Sequence, residues 1–219
     1  MKPQFLTCKT NGFAPVSVTG SFGEYVEGGE FNGDLKYDFV KNQIFGKFEL
    51  INTRFKNFFV SRAKIISEKE KIYIKADGTY ESENFFCDID ASNKFSKNII
   101  IYKMNMFLNE LIIRKSQNFS SGHTDIASKI KDNDINIENW EVRIGKIKKD
   151  RIVIKNIELN GSLKDNTFRF SMPELKFANG TLTASGRYNF ADASSCIDFA
   201  AKNIDSNTAA DMLFNLPEQ

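Results

Sequence analysis

The chain has 219 residues but only one histidine, one tryptophan, 4 prolines and three cysteines. The lone His123 sits in SSGHTD with Ser120, Ser121 and Asp125 near it in the chain. A catalytic triad needs convergence in space and an oxyanion hole, and adjacency in sequence supplies neither. His123 therefore reads as a loop histidine. Cys8, Cys87 and Cys196 are odd in number and widely spaced, without a CxxC pair or a Cys/His cluster, which argues against zinc. They read as small buried hydrophobes, and a Cys87–Cys196 disulfide stays open as an alternative. Charge of one sign is also lacking: 30 basic residues face 28 acidic ones, for a net +2. That balance gives no electrostatic case for nucleic acid. No apolar run approaches the roughly 18 residues of a membrane helix. The longest, NIIIYKMNMFLNELII at 98–113, is broken by Lys103, Asn105, Asn109 and Glu110. The opening MKPQFLTCKT has no sustained apolar core of the kind a signal peptide carries. The expectation is a cytoplasmic protein or a piece of a longer chain whose targeting segment lies elsewhere.

What is present is phenylalanine and alternation. Phe occurs 21 times, and hydrophobic residues make up 41% against 26% charged. Such a chain folds, and its length suits one large β domain or two small ones. NGTLTASGRYNF (179–190) sends Leu182, Ala184, Gly186, Tyr188 and Phe190 one way. Thr181, Thr183, Ser185, Arg187 and Asn189 go the other, the period of a strand. The same period runs through 16–22, 31–39, 44–50, 58–66, 71–80, 85–92 and 98–113. It resumes through 134–144, 151–159, 167–172, 174–178 and 195–203. Between Ile154 and Ile157 the apolar phase slips, which predicts a bulge near Asn156. Segment 116–134 loses the period and reads as a polar loop, with one weak helical turn near 125–131. Only 205–216 reads as a helix: Asp205 or Ser206 caps it, Ala209, Met212, Leu213 and Leu216 share a face, and Pro217 stops it.

Two echoes run through the chain. NGDLK (32–36) nearly matches NGSLK (160–164). GTYESENFFCDIDASN (78–93) resembles GRYNFADASSCIDFAAKN (186–203). Stacked repeated hairpins make an elongated sheet. The predicted fold is mainly β: a long antiparallel sheet curled into a groove or open barrel, with a short C-terminal helix. The expected parts are a β segment over 1–115, a polar loop over 116–133 and a second β segment over 134–219. A strip of about a dozen strands, ~4.8 Å apart, has one greasy side of order 50 Å wide. That side must be hidden, by barrel closure, by folding into a sandwich, or by curling around something oily.

Segment 133–219 resembles the C-terminal region of AsmA-like proteins. The shared pattern is a strand ending in a short break at Lys146–Arg151, a NIELNGSL-type strand, an LKFANGTLTASGRYNF-type pair, and a helix after NID. Gly161, Gly180 and Gly186 stand where the pattern wants glycine. Leu159, Leu163, Leu175, Phe177, Leu182 and Tyr188 stand where it wants apolar residues. The resemblance implies a bacterial envelope protein, anchored in the inner membrane through segments outside this chain. Such proteins project a β groove into the periplasm that moves phospholipid toward the outer membrane. The start of this chain departs from the pattern, having no anchor helix, so a fragment is expected.

The residues expected to line an apolar, lipid-binding face are Phe168, Phe170, Phe177, Leu182, Tyr188, Phe190, Ile197 and Phe199; an ordinary sealed core is the alternative. Burial is worth about 25 cal/mol per Å² whether the partner is protein or an acyl chain, so composition does not separate the two. Other candidates are weaker. DNDIN places Asp132, Asp134 and Asn136 as a calcium loop does, but Ile137 and Arg143 stand where Gly and Glu belong. GEYVEGGEFNGD (23–34) has no phosphate-loop lysine and reads as a turn. KIKKDR (146–151) reads as a solvated turn, with contact to anionic head groups as the other reading. Glu81, Glu83, Asp88 and Asp90 lie on strands or at their turns, and no acid–base pair is read from them. The expectation is a non-enzymatic segment that shields phospholipid acyl chains, without cofactor or metal. The alternative is a structural or adhesive β domain that binds a protein by edge-strand pairing.

Overall fold

The computed structural model describes residues 5–9, 12, 14–15, 28–55, 58–80, 83–93, 99–112, 135–149 and 152–214. The expected strand at 16–22 and the polar segment 116–133 lie outside them. The chain is mainly β, as its alternation predicts. Its strands are β1 (Phe5–Lys9), β2 (Ala14–Pro15), β3 (Glu30–Asp38), β4 (Gln43–Phe55), β5 (Phe58–Ser67), β6 (Lys71–Tyr80), β7 (Glu83–Ser92) and β8 (Ile100–Ile112). There follow β9 (Asn136–Lys149), β10 (Ile152–Lys164), β11 (Thr167–Phe177), β12 (Gly180–Asn189), β13 (Ser195–Lys202) and the helix α1 (Ser206–Phe214). Two compact units, 1–106 and 107–219, divide within β8.

In the first unit the order is β1-β3-β4-β5-β6-β7 and then the start of β8, with β2 also on β3. The pairings of β1 to β7 are all antiparallel. Register places Gly33, Phe48, Ile65, Ile74 and Ile89 in one row across five strands, and the Phe31 ring meets that of Phe48 at 5.6 Å. Among the described residues, Val60, Ala63, Ile72, Ala76 and Phe85 are the buried apolar side chains of this unit. The ends of the strands are joined by a polar knot. Asn93 is completely buried. Its Oδ1 accepts from the Ile44 N–H at 3.0 Å, and its Nδ2 donates to the carbonyls of Ile44 at 2.6 Å and Glu68 at 2.5 Å. The Asn93 N–H donates to the Glu70 carbonyl at 2.9 Å. One side chain thereby ties the start of β4 to the β5–β6 turn and the end of β7.

In the second unit the end of β8 is followed by β9-β10-β11-β12-β13. Neither unit closes into a barrel: among the described residues β13 pairs only with β12, and β1 only with β3. The turns explain the tight up-and-down order. Asp165 and Asn166 both have positive φ, of 50° and 58°, and so do Ala178 and Asn179, at 45° and 63°. Paired left-handed residues make the two-residue hairpin turn whose twist matches that of the strands.

Three sequence readings need correction. The phase slip between Ile154 and Ile157 is not an inserted residue: Lys155 pairs with Lys146 and Ile157 with Ile144, in one unbroken register. Instead Asn156 takes a left-handed conformation, φ 55°, which turns the strand over in place. Segments 167–172 and 174–178 are one strand, with the register shift at Met172–Leu175 that admits Pro173. KIKKDR is less of a turn than expected, because β9 runs on to Lys149. Within it Lys146 is paired with Glu110 at 2.8 Å.

The helix forms within its expected range. Asp205 caps it, Oδ1 accepting from the Thr208 N–H at 2.6 Å, while its carbonyl accepts from Ala209 at 2.9 Å. The Asp205 N–H in turn donates to the Ala178 carbonyl at 2.9 Å, which fixes the helix start against the β11–β12 turn.

Candidate functional site

The second unit's sheet has one apolar face, and register identifies its members. Leu163 lies opposite Phe168, Phe168 opposite Tyr188, and Tyr188 opposite Ser195. One step along, Gly161, Phe170, Gly186 and Ile197 form the next row. Met172, Ala184 and Phe199 form a third, and Leu175, Leu182 and Ala201 a fourth. Phe177 opposes Gly180 at the end of β11. Seven of the eight residues expected to line an apolar face thus share one face of β11–β13. Phe190 follows β12 and meets Tyr188 edge to face, ring centres 5.0 Å apart. None of these rows carries a charge. Arg169, Lys176, Arg187, Asp198 and Lys202 alternate onto the opposite face.

Burial is graded across this face. At its centre Ile144, Ile157 and Leu175 form a sealed cluster, against which Val142, Ile147, Ile154, Leu159, Met172 and Leu182 pack. At the β13 edge the same face opens: Ile197 is 64% exposed and Phe199 79%. The centre is closed by its own side chains, and the β13 edge is not. Leu182 belongs to the closed part.

Aromatic rings flatten the face where it meets its glycines. Trp140 stacks on Phe168, with centres 5.3 Å apart and planes 5° from parallel, and Phe168 continues to Phe170 at 6.4 Å. A Cβ on Gly161 would stand 2.7 Å from Trp140 Cζ2, and one on Gly186 would stand 2.5 Å from Phe170 Cε1. Each ring therefore lies directly over a neighbouring strand's glycine. Trp140 is buried, and its Nε1 has no hydrogen-bond partner among the described residues. A buried unpaired N–H costs about 1–3 kcal/mol, so the indole's value here lies in its area and stacking.

The hollows of this unit are shallow. One of about 290 Å³ is bordered by Met172, Pro173, Ala184 and Phe199. Two of about 430 and 450 Å³ lie against Val153 and Lys176, with Lys202 beside the first and Lys155 beside the second. Lys176 is held by Glu174 at 2.5 Å. No group of three or more metal-ligating side chains occurs among the described residues. His123, Ser120, Ser121, Asp125, Asp132 and Asp134 lie outside them. Asn136 opens β9. Glu83, Asp88 and Asp90 are spread along β7, and Lys75 pairs with Asp88 at 3.8 Å.

The echo at 78–93 and 186–203 corresponds to two hairpins, β6–β7 and β12–β13. The second spaces its cysteine one residue further from its glycine, and a single residue changes the face. Cys87 lies opposite Ala76, on the buried face, whereas Cys196 lies opposite Arg187, on the outer face. Both thiols are free. Burial pushes the Cys87 thiol up, with Asp88 adding to the rise against a bond to the Ala76 backbone. Iodoacetamide at pH 8 is therefore expected to alkylate Cys196 at least tenfold faster than Cys87, by peptide mapping of a time course. Equal rates would contradict this placement.

No helix of the described residues is long and apolar enough to cross a membrane. No family model matches the chain, and neither the curated proteins nor the solved structures contain a detectable relative.

Proposed function

We propose that the chain is a non-enzymatic segment that shields lipid acyl chains on the apolar face of β11–β13. The observation that carries this reading is the exposure of Ile197 and Phe199 on an uncharged face that is continuous with Phe170, Met172 and Leu182. A large apolar surface in water calls for an apolar partner. A shallow, uncharged surface without converging polar groups suits a hydrocarbon chain better than a polar small molecule, whose sites are concave and carry placed donors and acceptors. The AsmA-like pattern in 133–219 supports the same reading. By that resemblance the proposed setting is a bacterial envelope, and the proposed role the movement of phospholipid between membranes.

The test is native mass spectrometry of protein purified from a bacterial periplasm. Wild type is expected to carry phospholipid. Phe199→Asp and Ile197→Asp are expected to lose it while keeping a wild-type circular dichroism spectrum, because both side chains are already in water. Each large apolar side chain covered by hydrocarbon contributes about 2 kcal/mol, so each loss weakens binding about 30-fold. Thr183→Asp, on the outer face of β12, is expected to keep its lipid. A lipid-free wild type, or lipid retained by both inner-face variants, overturns the proposal. Leu182→Asp is a poorer probe, since Leu182 packs against the sealed cluster and its loss disturbs the fold.

A further inference from the structure

We infer that β13 is a self-association edge, joining two copies of this chain in one antiparallel sheet. Every residue of β13 is exposed. Its outer side meets no strand among the described residues. Open edges in monomers are commonly blunted by proline, a bulge or a charge pointing inward. β13 has none of these: its register with β12 is continuous from Ser195 to Lys202, and its inner face is Ile197, Phe199 and Ala201.

The occupant follows from the order of residues in DFAAK (198–202). Antiparallel pairing of two copies about Ala200 sets Ala200 against Ala200 of the second copy. Phe199 then meets Ala201 of the other copy on the apolar face, twice by symmetry. On the outer face Asp198 meets Lys202 of the other copy, again twice. Directly opposed residues in an antiparallel pair lie on the same face, so this register keeps the apolar sides aligned. The charge pattern is thus complementary to itself, a property that an isologous two-fold contact requires and a foreign strand does not. The inference is independent of what the apolar face holds.

The test is sedimentation velocity on the full chain at about 100 μM in low salt, with circular dichroism to verify folding. Wild type is expected to sediment as a dimer. Asp198→Lys and Lys202→Asp each place like charges opposite each other twice. Each is expected to weaken the dimer about tenfold or more. The double variant D198K/K202D restores both opposed pairs with their signs exchanged and is expected to return to the wild-type dimer. Monomeric wild type overturns the inference, and so does a dimer that either single variant leaves unchanged or the double variant leaves broken. The lipid-face variant Ile197→Ser, which removes apolar area, keeps both charged pairs and places no charge on the inner side of β13, is expected to bind lipid more weakly and to remain dimeric. Loss of lipid and loss of the dimer are therefore separate results.

Discussion

Asn93→Ala is expected to lower the stability of the first unit by about 3 kcal/mol. The side chain is completely buried and serves backbone groups from two places far from it in sequence. Its removal leaves the Ile44 N–H without its acceptor and the Glu68 carbonyl without its donor. A stranded buried backbone group costs about 1–3 kcal/mol. The Ile44 carbonyl fares better, because the Ser67 hydroxyl also donates to it, at 2.5 Å. Hydrogen exchange read by mass spectrometry checks this: amides of β4 and of the β5–β6 turn are expected to exchange about 100-fold faster. Unchanged exchange there would refute the clamp. Asn93→Asp sharpens the test. It keeps the acceptor for Ile44 but turns a carboxylate oxygen toward two carbonyls. Burial and those carbonyls raise that carboxyl's pKa in the folded state, so the folded state binds the proton more tightly than the unfolded chain. The variant's stability then falls as pH rises through the ordinary carboxylate range and beyond. N93D is expected to be more stable at pH 4 than at pH 8, relative to wild type at each pH.

The alternation in 31–39, 71–80 and 179–190 was sufficient to read strands and their faces, because a period of two is a local property. The same holds for the helix: Asp205 caps it as its position before an apolar repeat implies. Seven of the eight apolar candidates share a face for the same reason, since strand parity and short turns fix register together. What the text did not show was how full that face is. Leu182 and Phe199 share a face and have similar hydrophobicity, yet one packs against a closed cluster and the other stands in water. The difference is position in the strand order, a property of the whole sheet. Asn156 shows another limit. The apolar slip at 154–157 was visible, but a left-handed residue and an inserted one leave the same trace in a hydrophobic pattern. Asn93 was hidden for a related reason: nothing local distinguishes a buried polar clamp from a solvated turn residue.

The glycines carry the other large effect, and they tie the fold to the proposed face. Gly161→Ala is expected to destabilise the second unit by at least about 3 kcal/mol. An added Cβ runs into the backbone carbonyl of Arg169, and stands 2.7 Å from Cζ2 of the Trp140 ring that covers the glycine. A backbone carbonyl in a paired strand has nowhere to go without breaking its ladder, and overpacking of this kind ranks among the costly substitutions. Gly186→Ala is expected to cost less. Its nearest neighbour is the end of the Phe170 ring, which can swing toward the open side of the face; the Cys196 carbonyl, at 2.8 Å, must also give way, but it belongs to the exposed edge strand β13. Trp140 is the only tryptophan of the chain, so its fluorescence reports this unit alone. Urea titration followed at the indole is expected to give midpoints in the order wild type, Gly186→Ala, Gly161→Ala. The reverse order of the two variants would mean that ring contact, and not the neighbouring backbone, sets the demand for glycine. The Phe170 ring would then be fixed over its glycine, and not free to swing toward the open side of the proposed face.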